Sequence, residues 1–166
     1  MAKTKRDRNY WARTIPFWVT TAVICWEMVA GSLWDLKQIG FVRGVFQHLG
    51  YPPYLLLLLG AWKLPGALVV LAPRLPRLKE WAYAGMFFNY SGAAASHLLA
   101  GDALPQWIGP AVFAGMTLVS YALRPADRRM ATAQPVEAAR PVAWAVTVGV
   151  TAAMVVLALL TLPKGS

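Results

Sequence analysis

Apolar residues fall into five blocks separated by short stretches rich in charge, proline and glycine: Ile15–Trp34, Tyr54–Ala72, Trp81–Ala100, Leu104–Leu123 and Val142–Leu162. Each has the roughly 17–25 residues that a helix needs to cross a bilayer. They are too long and too uniformly apolar for barrel strands, and only helices or closed barrels satisfy their backbone in hydrocarbon. The pattern predicts five membrane-spanning helices. A further helix is expected in DLKQIGFVRGVFQHLGYPP, residues 35–53. There Ile39, Phe41, Val42, Val45, Phe46 and Leu49 partly follow helical spacing, which suggests an interfacial or re-entrant segment ending at Gly50. The proline-bounded PRLPRLKEW connection and the GDALP turn are short, so the second, third and fourth spans should be antiparallel neighbours. No internal repeat is visible.

Composition agrees with this reading. Hydrophobic residues make up 58% of the 166 and charged residues 14%, against about 45–50% and 25% in soluble domains. The net charge of +9 raises nucleic acid as a partner, but its distribution argues for membrane topology instead. Twelve of the 16 basic residues lie in the N-terminal stretch (Lys3, Lys5, Arg6, Arg8, Arg13), the second-to-third connection (Arg74, Arg77, Lys79) and the fourth-to-fifth connection (Arg124, Arg128, Arg129, Arg140). Lys37, Arg43 and Lys164 fall on the other side. This alternation predicts a cytoplasmic N-terminus and an outer C-terminus, with the lipid bilayer as partner and no nucleic acid. The first block outlasts a usual signal-peptide core and contains Glu27, so an uncleaved first helix is expected. The single cysteine, Cys25, forbids an intramolecular disulfide.

Two residues inside the spans call for partners. Lys63 sits near the middle of the second span, and Glu27 lies at a similar depth in the first. Charge at that depth is costly and normally faces the bundle interior, paired. The two are expected to pair, either as a structural lock or as a proton or anionic-ligand site. Pro65 removes a backbone donor beside Lys63, between Gly60 and Gly66, and should open a polar notch. On the third span, Asn89 and Ser96 share one face, as do Tyr90 and His97. Asp35, His48 and Asp102 are expected on the outer side with His97, as hydrogen-bonding or capping groups or as contacts to a polar ligand. No short-range ligand spacing supports a metal. Most tryptophans lie near span ends, as an interfacial belt requires. Trp26 and Trp62 are deeper and offer flat walls for a quinone ring or for helix packing. Gly149 and Ala153 allow close helix contact, within the chain or in a homo-oligomer.

The segment HLGYPPYLLLLLGAWKLPGALVVLAPRLPRLKEWAYAGMFFNYSGAAASHLLAGD, residues 48–102, resembles the DoxX-like family of small bacterial membrane proteins. The features that carry the resemblance are His48-Leu49-Gly50-Tyr51-Pro52, Lys63 with Gly66-Ala67, Leu78 to Gly85, and Ser96-His97 followed by Gly101-Asp102. Leu104–Pro125 matches more loosely. The resemblance implies a four-helix transmembrane bundle in the bacterial inner membrane, here with a fifth helix outside the usual plan. Residues 1–125 would form the bundle, 126–141 a cytoplasmic linker, and 142–166 the additional helix and tail. Wider relatives include a subunit linked to thiosulfate:quinone oxidoreduction and proteins of oxidative-stress complexes. No generally accepted catalytic residues accompany the family. Asn89 stands where an aspartate is expected in many relatives. Three functions follow as expectations: an accessory subunit of a membrane redox system that contacts quinone and a redox protein partner, a structural or assembly protein, or a small proton-coupled transporter. A pocket between the first three spans would have Trp26, Trp62 and Phe88 as walls and Glu27, Lys63, Asn89 and His97 as polar contacts.

Overall fold

A computed structural model describes residues 2–130 and 141–161, with side chains from Tyr10 onward in the first helix. Six α-helices are present among the described residues: α1 (Ala2–Leu36), α2 (Gly40–His48), α3 (Tyr54–Leu71), α4 (Pro76–Leu99), α5 (Leu104–Leu123) and α6 (Pro141–Leu160). No strand occurs among them. A single 3-10 turn, Ala126–Arg128, follows α5. Most of the expected linker, 131–140, lies outside the described residues, as does the tail from Leu162.

Among the described residues three helical segments are both long and apolar enough to cross a membrane: Tyr10–Leu36, Tyr54–Leu71 and Pro141–Leu160. α4 and α5 have spanning length, at 24 and 20 residues, but their sequences are more polar. The reason lies in what they bury. α4 turns Lys79, Tyr83, Met86, Tyr90, Ala94 and His97 inward, and α5 turns in Ala114, Thr117 and Ser120. Polar side chains facing one another inside a bundle satisfy each other rather than meeting lipid. Ser120 shows this: its hydroxyl lies 2.7 Å from Thr21 Oγ1 of α1 and 2.8 Å from the hydroxyl of Tyr83.

α1 packs against α3, α5 and α6, while α4 packs against α3 and α5. The core is formed by Ile24, Cys25, Met28 and Val29 of α1, Ala67, Val70 and Leu71 of α3, Tyr83, Met86 and Tyr90 of α4, and Ala114 of α5. Gly60 sets the register of α1 against α3. A Cβ built there would lie 2.8 Å from Leu36 Cγ and 3.1 Å from the Leu36 backbone nitrogen. The bare backbone allows Ser32 Oγ to donate to the Gly60 carbonyl at 2.6 Å.

Local chemistry ends two of the helices in the same way. After α2 and α4, Gly50 and Gly101 take φ of +73° and +79°. The amide of Tyr51 then bonds the Phe46 carbonyl, and that of Asp102 bonds the His97 carbonyl. This is the glycine-terminated closure that satisfies the last carbonyls of a helix. It delivers the side chains of Tyr51 and Asp102 to one end of the molecule. At the other end, the C-terminus of α3 has no basic residue in its last turn. Lys79 Nζ donates instead to the carbonyls of Val69, Val70 and Ala72, and Arg128 to those of Val70 and Leu71. Cations there complement both the orphan carbonyls and the helix dipole.

Candidate functional site

Lys63 comes from the middle of α3 and points at α1. Its Nζ donates to Asp35 Oδ2 at 2.8 Å, with the two side chains 12% and 3% exposed. The expected partner, Glu27, does not take this bond. Its Oε2 accepts from the hydroxyl of Tyr90, which also lies 3.3 Å from the Ile24 carbonyl. Counting depth from the span ends cannot resolve an offset of a turn or two between helices, and the Gly60 contact fixes the register that favours Asp35. Asp35 accordingly leaves the outer group in which the sequence placed it.

The rest of that group converges. Asp102 accepts from both histidines, Oδ1 at 2.7 Å from His48 Nε2 and Oδ2 at 2.7 Å from His97 Nδ1. It therefore ties the end of α2 to the end of α4. The hydrogen bond from His97, joined by that from His48, holds the Asp102 carboxyl below the usual carboxylate range. Beside this clasp the Tyr51 hydroxyl lies 2.6 Å from Ser96 Oγ. Among the described residues no group of three His, Cys, Asp or Glu side chains is arranged to hold a metal ion.

A groove of about 390 Å³ lies between α3 and α4. Trp62 and Trp81, each about three-quarters exposed, stand at its rim. Met28, Pro65, Gly66 and Met86 line it, and Lys63 and Asn89 are its polar contacts. Trp62, Lys63 and Asn89 are thus brought together as the sequence suggested. Trp26, Glu27, His97 and Phe88 do not line it, and Phe88 points outward, 69% exposed. Two residues that the sequence does not single out take part, Tyr90 as the partner of Glu27 and Trp81 at the groove. Tyr90 was placed on one face with His97 by its spacing, and that face proves to be the buried one. Trp81 was read as an interfacial anchor, and no local signal distinguishes such a tryptophan from one at the edge of a groove.

At the opposite end, Arg124 donates to Glu80 Oε1 at 2.8 Å and lies 3.9 Å from the Tyr121 ring centroid. The Tyr121 hydroxyl donates to Glu80 Oε2, and Arg128 stacks over Trp18 at 4.8 Å. The described basic residues of both connections therefore gather at the end remote from Asp102.

An all-helical fold with strongly apolar helices, polar groups turned inward and cations collected at one end defines an integral membrane protein. Residues 19–120 match the sequence pattern of the DoxX-like family, and the chain belongs to that family. No curated protein and no solved structure matches it.

Proposed function

We propose that this protein binds a quinone in the groove between α3 and α4 and serves as an accessory subunit of a membrane redox system in the bacterial inner membrane. One observation carries the reading. The groove is almost wholly apolar, opens on the outer surface of the bundle between two tryptophans, and has an ammonium and an amide as its polar contacts. Ligand pockets have this composition: apolar walls and a few fixed polar groups. A quinone head has flat faces for Trp62 and Trp81 and carbonyl oxygens for N–H donors. An ammonium has three N–H groups, so Lys63 keeps two after bonding Asp35. Because Asp35 neutralises Lys63, the groove suits a neutral acceptor better than an anion. In this reading α1, α3, α4 and α5 cross the membrane as a four-helix bundle and α6 crosses beside α1, with the basic end in the cytoplasm.

The test is mass spectrometry of lipophilic compounds retained by the full chain in native-lipid discs. Quinone should be enriched several-fold over discs holding an unrelated membrane protein, and Trp62→Ala or Asn89→Leu should remove the enrichment. Equal quinone in both preparations refutes the reading.

A further inference from the structure

Two cavities lie side by side where α4 meets α5, and they share Glu80 and Tyr121. One, of about 380 Å³, sits at the basic end and is bounded by Arg124, Arg129 and Met130. The other, of about 260 Å³, runs from there along the bundle. Tyr83 and Thr117, both buried, form its floor, while Phe88 and Leu118 stand at its sides, 69% and 51% exposed. From Glu80 to Phe88 it follows α4 for eight residues, roughly 12 Å at 1.5 Å per residue. The groove that holds Lys63 uses other residues of α4, among them Trp81, Gly85 and Asn89.

Polarity changes along this joined groove. At the basic end Glu80 accepts from Arg124 on one carboxylate oxygen and from the Tyr121 hydroxyl on the other, both at 2.8 Å. Arg129 donates through Nε to the Arg124 carbonyl at 2.7 Å and through Nη2 to the Ala122 carbonyl at 3.1 Å. These are orphan acceptors at the end of α5, and they anchor the guanidinium beside the cavity. A guanidinium has five N–H groups, so most of its donors remain for a ligand. Among the described residues Arg129 makes no ion pair. Two guanidiniums against one carboxylate leave a positive charge at the mouth of an apolar groove. A soluble anion would leave the apolar stretch unfilled, and a plain hydrocarbon would leave the charge uncompensated. A molecule with an anionic head and a hydrocarbon tail satisfies both parts.

We propose that the α4–α5 face binds one anionic phospholipid. Its phosphate rests on Arg129, with the buried charge of Arg124 behind it, and one acyl chain lies in the groove between Phe88 and Leu118. Guanidinium forks match phosphate oxygens in pairs, and basic pockets between spanning helices recognise anionic head groups. A zwitterionic lipid offers the same phosphate but brings an ammonium against the arginines, so the site favours a head group with a net negative charge. Helix ends lie at a membrane surface in either orientation, and the site is separate from the proposed quinone groove, so it depends on neither reading.

The experiment is native mass spectrometry of the full chain released from discs that hold equal amounts of phosphatidylglycerol and phosphatidylcholine with the same acyl chains. One phosphatidylglycerol should stay bound to the wild type, several-fold over phosphatidylcholine. Arg129→Gln should bring the two lipids close to parity. Leu118→Trp, which fills the groove from an exposed position, should lower phosphatidylglycerol retention several-fold with the melting temperature near that of the wild type. Arg43→Gln, at the opposite end, should change nothing. Soluble glycerol phosphate in excess should fail to displace the lipid, because it lacks the chain. Equal retention of the two lipids by the wild type, displacement by glycerol phosphate, or the same loss of preference in Arg43→Gln as in Arg129→Gln overturns the proposal. Undiminished preference in Arg129→Gln or full retention in Leu118→Trp does so too. The wild-type comparison decides the matter even if a variant fails to fold.

Discussion

At single residues, space and charge make separate demands. Gly60 and Gly66 both lie on α3, yet a methyl group would meet different surroundings at each. At Gly60 it would press on the Leu36 side chain and backbone at 2.8 to 3.1 Å. At Gly66 its nearest neighbours are the Met28 and Met86 methyls at 3.8 and 4.0 Å. Gly60→Ala should therefore destabilise by about 1–3 kcal/mol, as overpacking does. Gly66→Ala should be neutral or gain up to about 1 kcal/mol through helix propensity. Thermal unfolding of the purified variants in one detergent tests the contrast, and equal losses at both positions would count against the α1–α3 contact. The buried ion pair makes a second demand. Lys63→Met leaves Asp35 without its counter-charge and should cost about 3–5 kcal/mol, while adding Asp35→Asn should recover much of it. Additive losses would show that the two side chains do not interact.

Among the elements, α2 is the one held by a single titratable clasp. It has few buried residues of its own, with Val42 inward and Phe41 68% exposed. His48 at its end is tied to Asp102, which also receives His97. The Asp102 carboxyl titrates below its ordinary value of 3.8 in the folded protein. A depressed folded value means that its stabilisation is fully present above the unfolded value and disappears as pH falls through the folded one. The stability difference between wild type and Asp102→Asn should thus be present just above about pH 4 and narrow in stronger acid. Melting temperatures across that range measure it. A difference unchanged in strong acid would mean that the Asp102 carboxylate contributes nothing through its charge.

Over the whole molecule, the charges sort by end. Lys79, Glu80, Arg124 and Arg128 join α3, α4 and α5 at one end, while His48, His97 and Asp102 close the other. Basic residues on short connections favour the cytoplasmic side, so the proposed orientation puts α2 outside. A cysteine at Gln47 should react with an impermeant thiol reagent added to intact cells, and one at Ala126 should react only after permeabilisation. The opposite pattern would invert the topology. The buried Cys25 leaves the background low.

How much of this was legible beforehand depends on range along the chain. Helix positions, the amphipathic α2, its end at Gly50 and the placing of Tyr90 and His97 on one face follow from neighbours a few residues apart, and the sequence alone determined them; that this face is the buried one was decided by packing. The apolar character of α1, α3 and α6 was equally local. The partner of Lys63 was not. It depends on the sliding register of α1 against α3, fixed where Gly60 admits Leu36 and Ser32, because Asp35 and Glu27 stand about two turns apart on one face of α1. The groove likewise exists only because α3 and α4 meet with Gly66 and Gly85 between their larger side chains. Asp102 could be assigned to an end of the molecule from the sequence. That it serves both histidines was decided by the tertiary structure, because one carboxylate has two oxygens and only packing brings two helix ends within reach of both.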